Sequence, residues 1–174
     1  MNDETPSATD LALFRRVMGS FATGVTVITT ETRGEIRGMT ANAFMSGSLQ
    51  PPLCVISVAK AARMHDFLKE AGHFGVSILA RGQERLSAHF GGCPEADLTP
   101  AFKHVGRTPV LVDAAATITA TIVGSHECGD HSIFIGSILD LQTHGKVPLV
   151  VHGGRYAWLT YSGEQPLIPV TDFW

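Results

Sequence analysis

The last third of the chain most constrains its fold. "ATITATIVGSHE", "HSIFIGSILDLQTH" and "VPLVVHGGRYAWLTY" are three apolar, mostly β-branched runs separated by hairpin-length turns. The first alternates Thr with Ile, Ala and Val, the period-two pattern of a half-buried strand. Parallel strands need crossovers of a dozen residues or more, and these turns have no room for them. An antiparallel barrel or sandwich is therefore expected, rather than a βαβ sheet.

The first half fits the same plan. "DLALFRRVMGSFATG" places Leu11, Phe14, Met18 and Phe21 near helical spacing, with Asp10 as a cap and Gly19 near the end, which predicts a helix over 10–19. "GVTVITTET" and "IRGMTANAFMS" form a hairpin with "RGEIRG" as its turn. "PPLCVISVA" is a nearly continuous apolar run that reads as a strand buried on both faces. "ARMHDFLKEAG" reads as a short helix with Met64, Phe67 and Leu68 on one face and Gly72 as its stop. "HFGVSILA" is a strand and "GQERLSAHFGG" a second short helix, while 93–109 reads as a surface excursion. The sum is about seven strands with two or three short helices. A single domain over 10–162 is expected, with a disordered tail at 1–9 and a loop-like tail at 163–174.

Composition narrows the partners. The chain has 174 residues, 44% hydrophobic and 17% charged, enough apolar content for a real core. Its formal net charge is −3 and its Lys and Arg are scattered, so no nucleic-acid footprint is present. No apolar run reaches the roughly 18 residues of a membrane-spanning helix. The polar, acidic start "MNDETPSATD" is neither a signal nor a transit peptide. Cys54, Cys93 and Cys128 have no disulfide-framework spacing, which points to a reducing cytoplasm.

Several chemistries are not written here. There is no G-x-G-x-x-G, no phosphate-binding G-x-x-x-x-G-K-S/T, no G-x-S-x-G elbow and no C-x-x-C. "HECGDH" places His126 and Cys128 on one strand face and His131 across a Gly-Asp turn, three ligands for an open zinc site. The same residues also read as a polar hairpin tip, and no fourth ligand is evident.

Three other segments point to a flat, polar-edged ligand. In "GMTANAFMSGSLQPP", steps of two place Thr40, Asn42, Phe44, Ser46 and Ser48 on one strand face and Met39, Ala41, Ala43 and Met45 on the other. Thr40 to Ser46 spans roughly 20 Å of strand. Asn and hydroxyl groups suit the alternating carbonyls and N–H of a flavin's pyrimidine edge, although a solvated strand face has the same pattern. "SVAKAARMHDF" runs a strand into a helix N-terminus flanked by Lys60 and Arg63, a place for a phosphate. "GDHSIFIG" sets His131 at a strand mouth, where it can lie over a ring, bond a carboxamide or serve as a plain turn residue.

In this order the segments resemble the flavin reductase-like family, whose small members are reductase components of two-component flavin-dependent monooxygenases. The resemblance covers about residues 12–159. It implies an FMN-binding split barrel, an antiparallel Greek-key barrel with peripheral helices, as a homodimer. It implies reduction of FMN or FAD by NADH or NADPH, with reduced flavin passing to a separate oxygenase. The T-A-N-x-F-x-S-x-S stretch would line the flavin through Thr40, Ala41, Asn42, Ala43, Ser46 and Ser48. Ala59, Lys60, Ala61 and Arg63 would meet the ribityl phosphate. Gly129 and Asp130 would present His131 to the nicotinamide, and Gly154, Arg155 and Tyr156 match the terminal G-x-Y. Ala41 and Gly136 would let the rings approach closely. Ala61, Ala62 and Ala43 stand where serines are frequent, and Gly47 where Val is, which removes hydroxyl contacts. A non-catalytic flavin-binding protein of this fold is one alternative. An oxidase of the pyridoxamine-phosphate type is another, and would need more basic residues for a substrate phosphate than Lys60, Arg63, Arg81 and Arg85 readily supply.

Overall fold

The computed structural model describes residues 8–160 and residue 163. Most of both expected tails, and Tyr161, lie outside the described residues. The elements run α1 (Ala8–Gly19), β1 (Thr23–Gly24), β2 (Thr26–Thr32), β3 (Glu35–Ala41), β4 (Phe44–Leu49), β5 (Pro52–Ala59) and α2 (Arg63–Ala71). They continue as β6 (His73–Ile78), α3 (Glu84–Phe90), β7 (Phe102–Val105), β8 (Thr108–Leu111), β9 (Ala116–Cys128), β10 (His131–Thr143), β11 (Val150–His152) and β12 (Arg155–Ala157).

Seven strands form one antiparallel sheet in the order β3-β2-β6-β9-β10-β5-β4. β3 and β4 stand at opposite ends of that order, yet only Asn42 and Ala43 separate them in the chain. Three Cα–Cα steps reach at most about 11 Å, whereas six strand spacings in a flat sheet measure roughly 29 Å. The sheet must therefore roll until its edges meet. The result is the expected split barrel, with β2 beside β6 and β5 beside β10 in the Greek-key manner. Its seam lies between β3 and β4. The other five strands have two to four residues each and form a β1-β11-β12 sheet and a β7-β8 hairpin. Among the described residues, no helix is long and apolar enough to cross a membrane.

The barrel interior is packed by Ile28, Ile56, Phe74, Val76, Ala120 and Phe134, with Met64 and Leu68 of α2 closing one end. Gly72 stops α2 as expected, at φ 69° with its N–H on the Leu68 carbonyl. A second cluster of Val25, Val27, Leu79, Leu111 and Leu149 joins the barrel to the small sheets. β2 feeds both clusters, Ile28 to one and Val27 to the other, and is buried along nearly its whole length.

Several expectations change. "IRGMTANAFMS" is two strands broken at Asn42–Ala43, and the break shifts the alternation by one residue. Met39, Ala41 and Phe44 all pack toward the interior, so Thr40, Asn42, Phe44, Ser46 and Ser48 do not share a face. "PPLCVISVA" alternates after all: Cys54, Ile56 and Val58 are buried while Val55, Ser57 and Ala59 are half-buried. The 93–109 excursion contains β7 and the start of β8, and β8 is buried throughout. α1 starts at Ala8, so Asp10 lies in its first turn instead of capping it. Its apolar residues stay outside the packed core, with Phe14 62% and Met18 57% exposed, because the barrel interior is already filled.

Gly136 serves the core and not a ligand. A Cβ there would lie 2.6 Å from Phe74 Cζ and 2.8 Å from Ala120 Cβ. The Gly136→Ala protein should lose about 1–3 kcal/mol by overpacking, read as a lower denaturant midpoint with an unchanged m-value.

Candidate functional site

Two hollows meet where the barrel is split. The larger, about 750 Å³, is walled by Asn42, Ala43, Val55, Ser57 and Ile133 of the barrel, by Phe14 and Met18 of α1, and by the His152–Gly154 turn. The smaller, about 440 Å³, is walled by Thr40, Ala41, Asn42, Ser87, Gly154 and Tyr156. Asn42, Val151 and Gly154 belong to both. The backbone fixes this junction. The Asn42 carbonyl accepts the Phe44 N–H at 3.0 Å, and the Ala43 carbonyl accepts the Ser57 N–H at 3.1 Å. The seam therefore stays tied to β5 while the Asn42 side chain is left exposed.

The larger hollow continues along the outer face of β5 and β10. Ser57 opposes Ile133, and Ala59 opposes His131. His131 therefore stands one same-face step, about 7 Å, beyond Ile133. Gly129, at φ 59°, makes the tight turn before it. The Lys60 N–H donates to the Asp130 carbonyl at 2.9 Å, and Lys60 Nζ meets Glu127 at 3.3 Å. The end of β5 and the β9–β10 turn thus form one corner. His131 is 43% exposed, with Nδ1 2.7 Å from Asp130 Oδ1. That hydrogen bond, together with the charge of the imidazolium, holds the Asp130 carboxyl below the ordinary carboxylate range.

α2 begins beside this corner. No side chain caps its N-terminus; the His65 N–H donates to the Ala62 carbonyl at 2.9 Å, and a helix start without a side-chain cap suits an anion. Arg63 opens the helix and lies 5.8 Å from the Phe67 ring, which Arg37 also meets at 5.0 Å. Ala61 is exposed in the turn before it.

The structure thus gathers Ala41, Asn42, Ala43 and Tyr156 at the hollows, and Ala59, Lys60, Gly129, Asp130 and His131 at the corner. Three hydroxyls do otherwise. Thr40 borders the smaller hollow but donates its hydroxyl to the Ser87 carbonyl at 2.7 Å, tying α3 to the barrel. Ser46 pairs with core-facing Cys54. Ser48, beyond a bulge at Gly47, accepts the Gln50 N–H at 3.2 Å. Among the described residues, no three His, Cys, Asp or Glu side chains gather to hold a metal.

The sequence reading missed Phe14, Met18, Thr23, Ser57, Ile133 and, of the glycine turn, His152 and Gly153. The alternation of Val55, Ser57 and Ala59 was the signal for β5, hidden by treating the run as uniformly apolar.

A flavin fits this surface. Both hollows have the volume of ordinary small-molecule sites, the larger is chiefly apolar, and Asn42 supplies a donor and an acceptor. Thr23, which also lines the larger hollow, has a buried Oγ1 with no hydrogen-bond partner.

The family profile described as "Flavin reductase like domain" matches residues 18–160. The chain belongs to this family. It is 38% identical over 162 residues to an NADH-dependent flavin reductase of Rhodococcus sp, covering 91% of this chain and 92% of that one. It is 36% identical over 142 residues to the reductase component of 4-hydroxyphenylacetate 3-monooxygenase of Thermus thermophilus, covering 82% and 91%. The solved flavin reductase PheA2 in its native state superposes with a TM-score of 0.84 at 40% identity, covering 92% of this chain and all of that one.

The Asp130–His131 pair has a readable consequence. A depressed carboxyl stabilises the fold above its unfolded value, and that stabilisation is lost as pH falls through the folded value. Replacing His131 with Ala should move the Asp130 carboxyl upward, toward about 3.9, in an NMR titration. The carboxyl should stay ionised near neutrality in both proteins, so the shift is read only on the acid side.

Proposed function

We propose that this chain oxidises NADH, reduces FMN or FAD, and releases the reduced flavin to a separate oxygenase component. The observation that carries this reading is the meeting of two hollows at Asn42, with the His131 corner on the same face. In this reading the catalytic domain spans 10–162 and works in the cytoplasm, where the free thiols Cys54, Cys93 and Cys128 stay reduced. It works as a homodimer, and the exposed apolar residues of α1 favour a second copy as their cover.

When both ligands are bound, a hydride passes from nicotinamide C4 to flavin N5. The chain supplies orientation and not an acid or nucleophile. Asn42 reads the polar ring edge from the seam. Ala41 and Ala43 leave space there, and Val55 and Ile133 give the ring system an apolar wall that excludes water. Lys60, Arg63 and the first turn of α2 hold the phosphate, with Ala59 and Ala61 leaving room for it. His131, steadied by Asp130, would orient the nicotinamide carboxamide. Tyr156 and Gly154 bound the opposite end. Reacting atoms must come within about 3–3.5 Å, which small residues at the seam permit. Thr40 anchors α3 beside the smaller hollow, while Ser46 and Ser48 serve β4 itself.

The test follows NADH oxidation with FMN, FAD or riboflavin. Steady turnover with added flavin is expected from the parent protein. Asn42→Ala should lower kcat/KM for flavin about ten-fold, the scale of one well-placed hydrogen bond. His131→Ala should raise KM for NADH more than KM for flavin. A folded parent that oxidises no NADH with any of the three flavins would falsify the proposal.

A further inference from the structure

α2 carries a histidine that the proposed chemistry does not use. His65 is 8% exposed, and its Nε2 lies 2.9 Å from Ser132 Oγ, also buried at 6%. Its ring meets Phe134 edge-on at 5.5 Å. Its Nδ1 is 3.5 Å from Asp66, longer than an ordinary hydrogen bond. The strong, directional contact is therefore the one to Ser132.

Both partners sit beside ligand-facing residues. Ser132 points into the core between His131 and Ile133, which face the opposite way on β10. His65 lies two residues past Arg63, in the helix whose first turn has no side-chain cap. The chain from Ala59 to His65, the His65–Ser132 bond and the His131–Ala59 ladder step form a closed circuit. The Lys60–Asp130 backbone bond fastens one end of the phosphate-facing arc, and His65 fastens the helical end. An apolar pair of similar volume would hold the helix equally well but without direction.

The geometry points to His65 and Ser132 as positioning residues that set the phosphate arc of α2 against the His131 corner. This rests on the flavin and nicotinamide reading above. Neither residue touches a ligand. The link acts by keeping two binding surfaces in register, so its loss weakens both.

Four single variants test this against the parent: Ser132→Ala, His65→Leu, His65→Gln and Phe134→Leu. Each is measured for KM of FMN, KM of NADH, kcat and thermal midpoint. Ser132→Ala and His65→Leu should each raise both KM values about five-fold, the scale of one buried hydrogen bond, with kcat little changed. His65→Leu fills the same space without the bond, so it stands in if Ser132→Ala does not fold. His65→Gln places an amide near the Nε2 position and should stay within about two-fold of the parent, as a rescued bond of this scale would. Phe134→Leu disturbs packing around His65 but leaves the bond, so it should lower the thermal midpoint and leave both KM values alone. Parental KM values in Ser132→Ala and His65→Leu overturn the link, as does Phe134→Leu raising KM as much as they do. An inactive parent overturns the reading of the site and this link with it. An active parent with unmoved variants overturns the link alone.

Discussion

Everything in this molecule follows from how little chain separates β3 from β4. Two residues join the opposite edges of a seven-stranded sheet, so the sheet has to curl and its last edge stays unzipped. Hydrogen bonding and hydrophobic burial would both be satisfied by many sheet shapes. The short connection selects one of them and leaves Asn42 at the opening. The bend that closes the barrel is therefore also the place where a polar side chain is exposed beside apolar walls.

The two sides of that opening are held differently. On one side the wall of β5 and β10 is a regular ladder, and the two strands present Val55, Ser57 and Ala59 beside Ile133 and His131 in strict alternation. On the other side α3 is fastened to β3, where Thr40 bonds the Ser87 carbonyl and the Phe90 ring lies against Gly38. A hydroxyl that donates to backbone is not available to donate to a ligand as well. In the proposed reading, polar recognition thus concentrates on Asn42, on backbone groups and on the His131 corner.

The β character, the hairpins and the ends of α2 were legible in the sequence because period-two runs and a terminal glycine report local geometry. The Gly129–Asp130–His131 corner was legible for the same reason. What could not be read was the phase of the "TANAFMS" stretch. A single irregular bend inverts every side chain after it, and the bend at Asn42–Ala43 is imposed by barrel closure, which is a long-range constraint. α1 misled in another way. The spacing of Leu11, Phe14 and Met18 states that the helix has an apolar face, but not whether the barrel has space to receive it. Gly136 was assigned to a ligand because a small residue signals close approach. It does mark one, between Phe74 and Ala120 in the core.

The larger hollow has one feature with a broader meaning. Most of its wall is hydrocarbon, and hydrocarbon grips a flat aromatic system without asking what hangs from its far end. In the proposed reading, discrimination among mononucleotide, dinucleotide and unphosphorylated forms falls to the tail, at a helix start and two cations on flexible stems. A carrier that must give up its load after each cycle gains from that division of labour. In that reading the greasy contact recruits any member of the class, and the grip that sets residence time is ionic, exposed to water and weakened by salt.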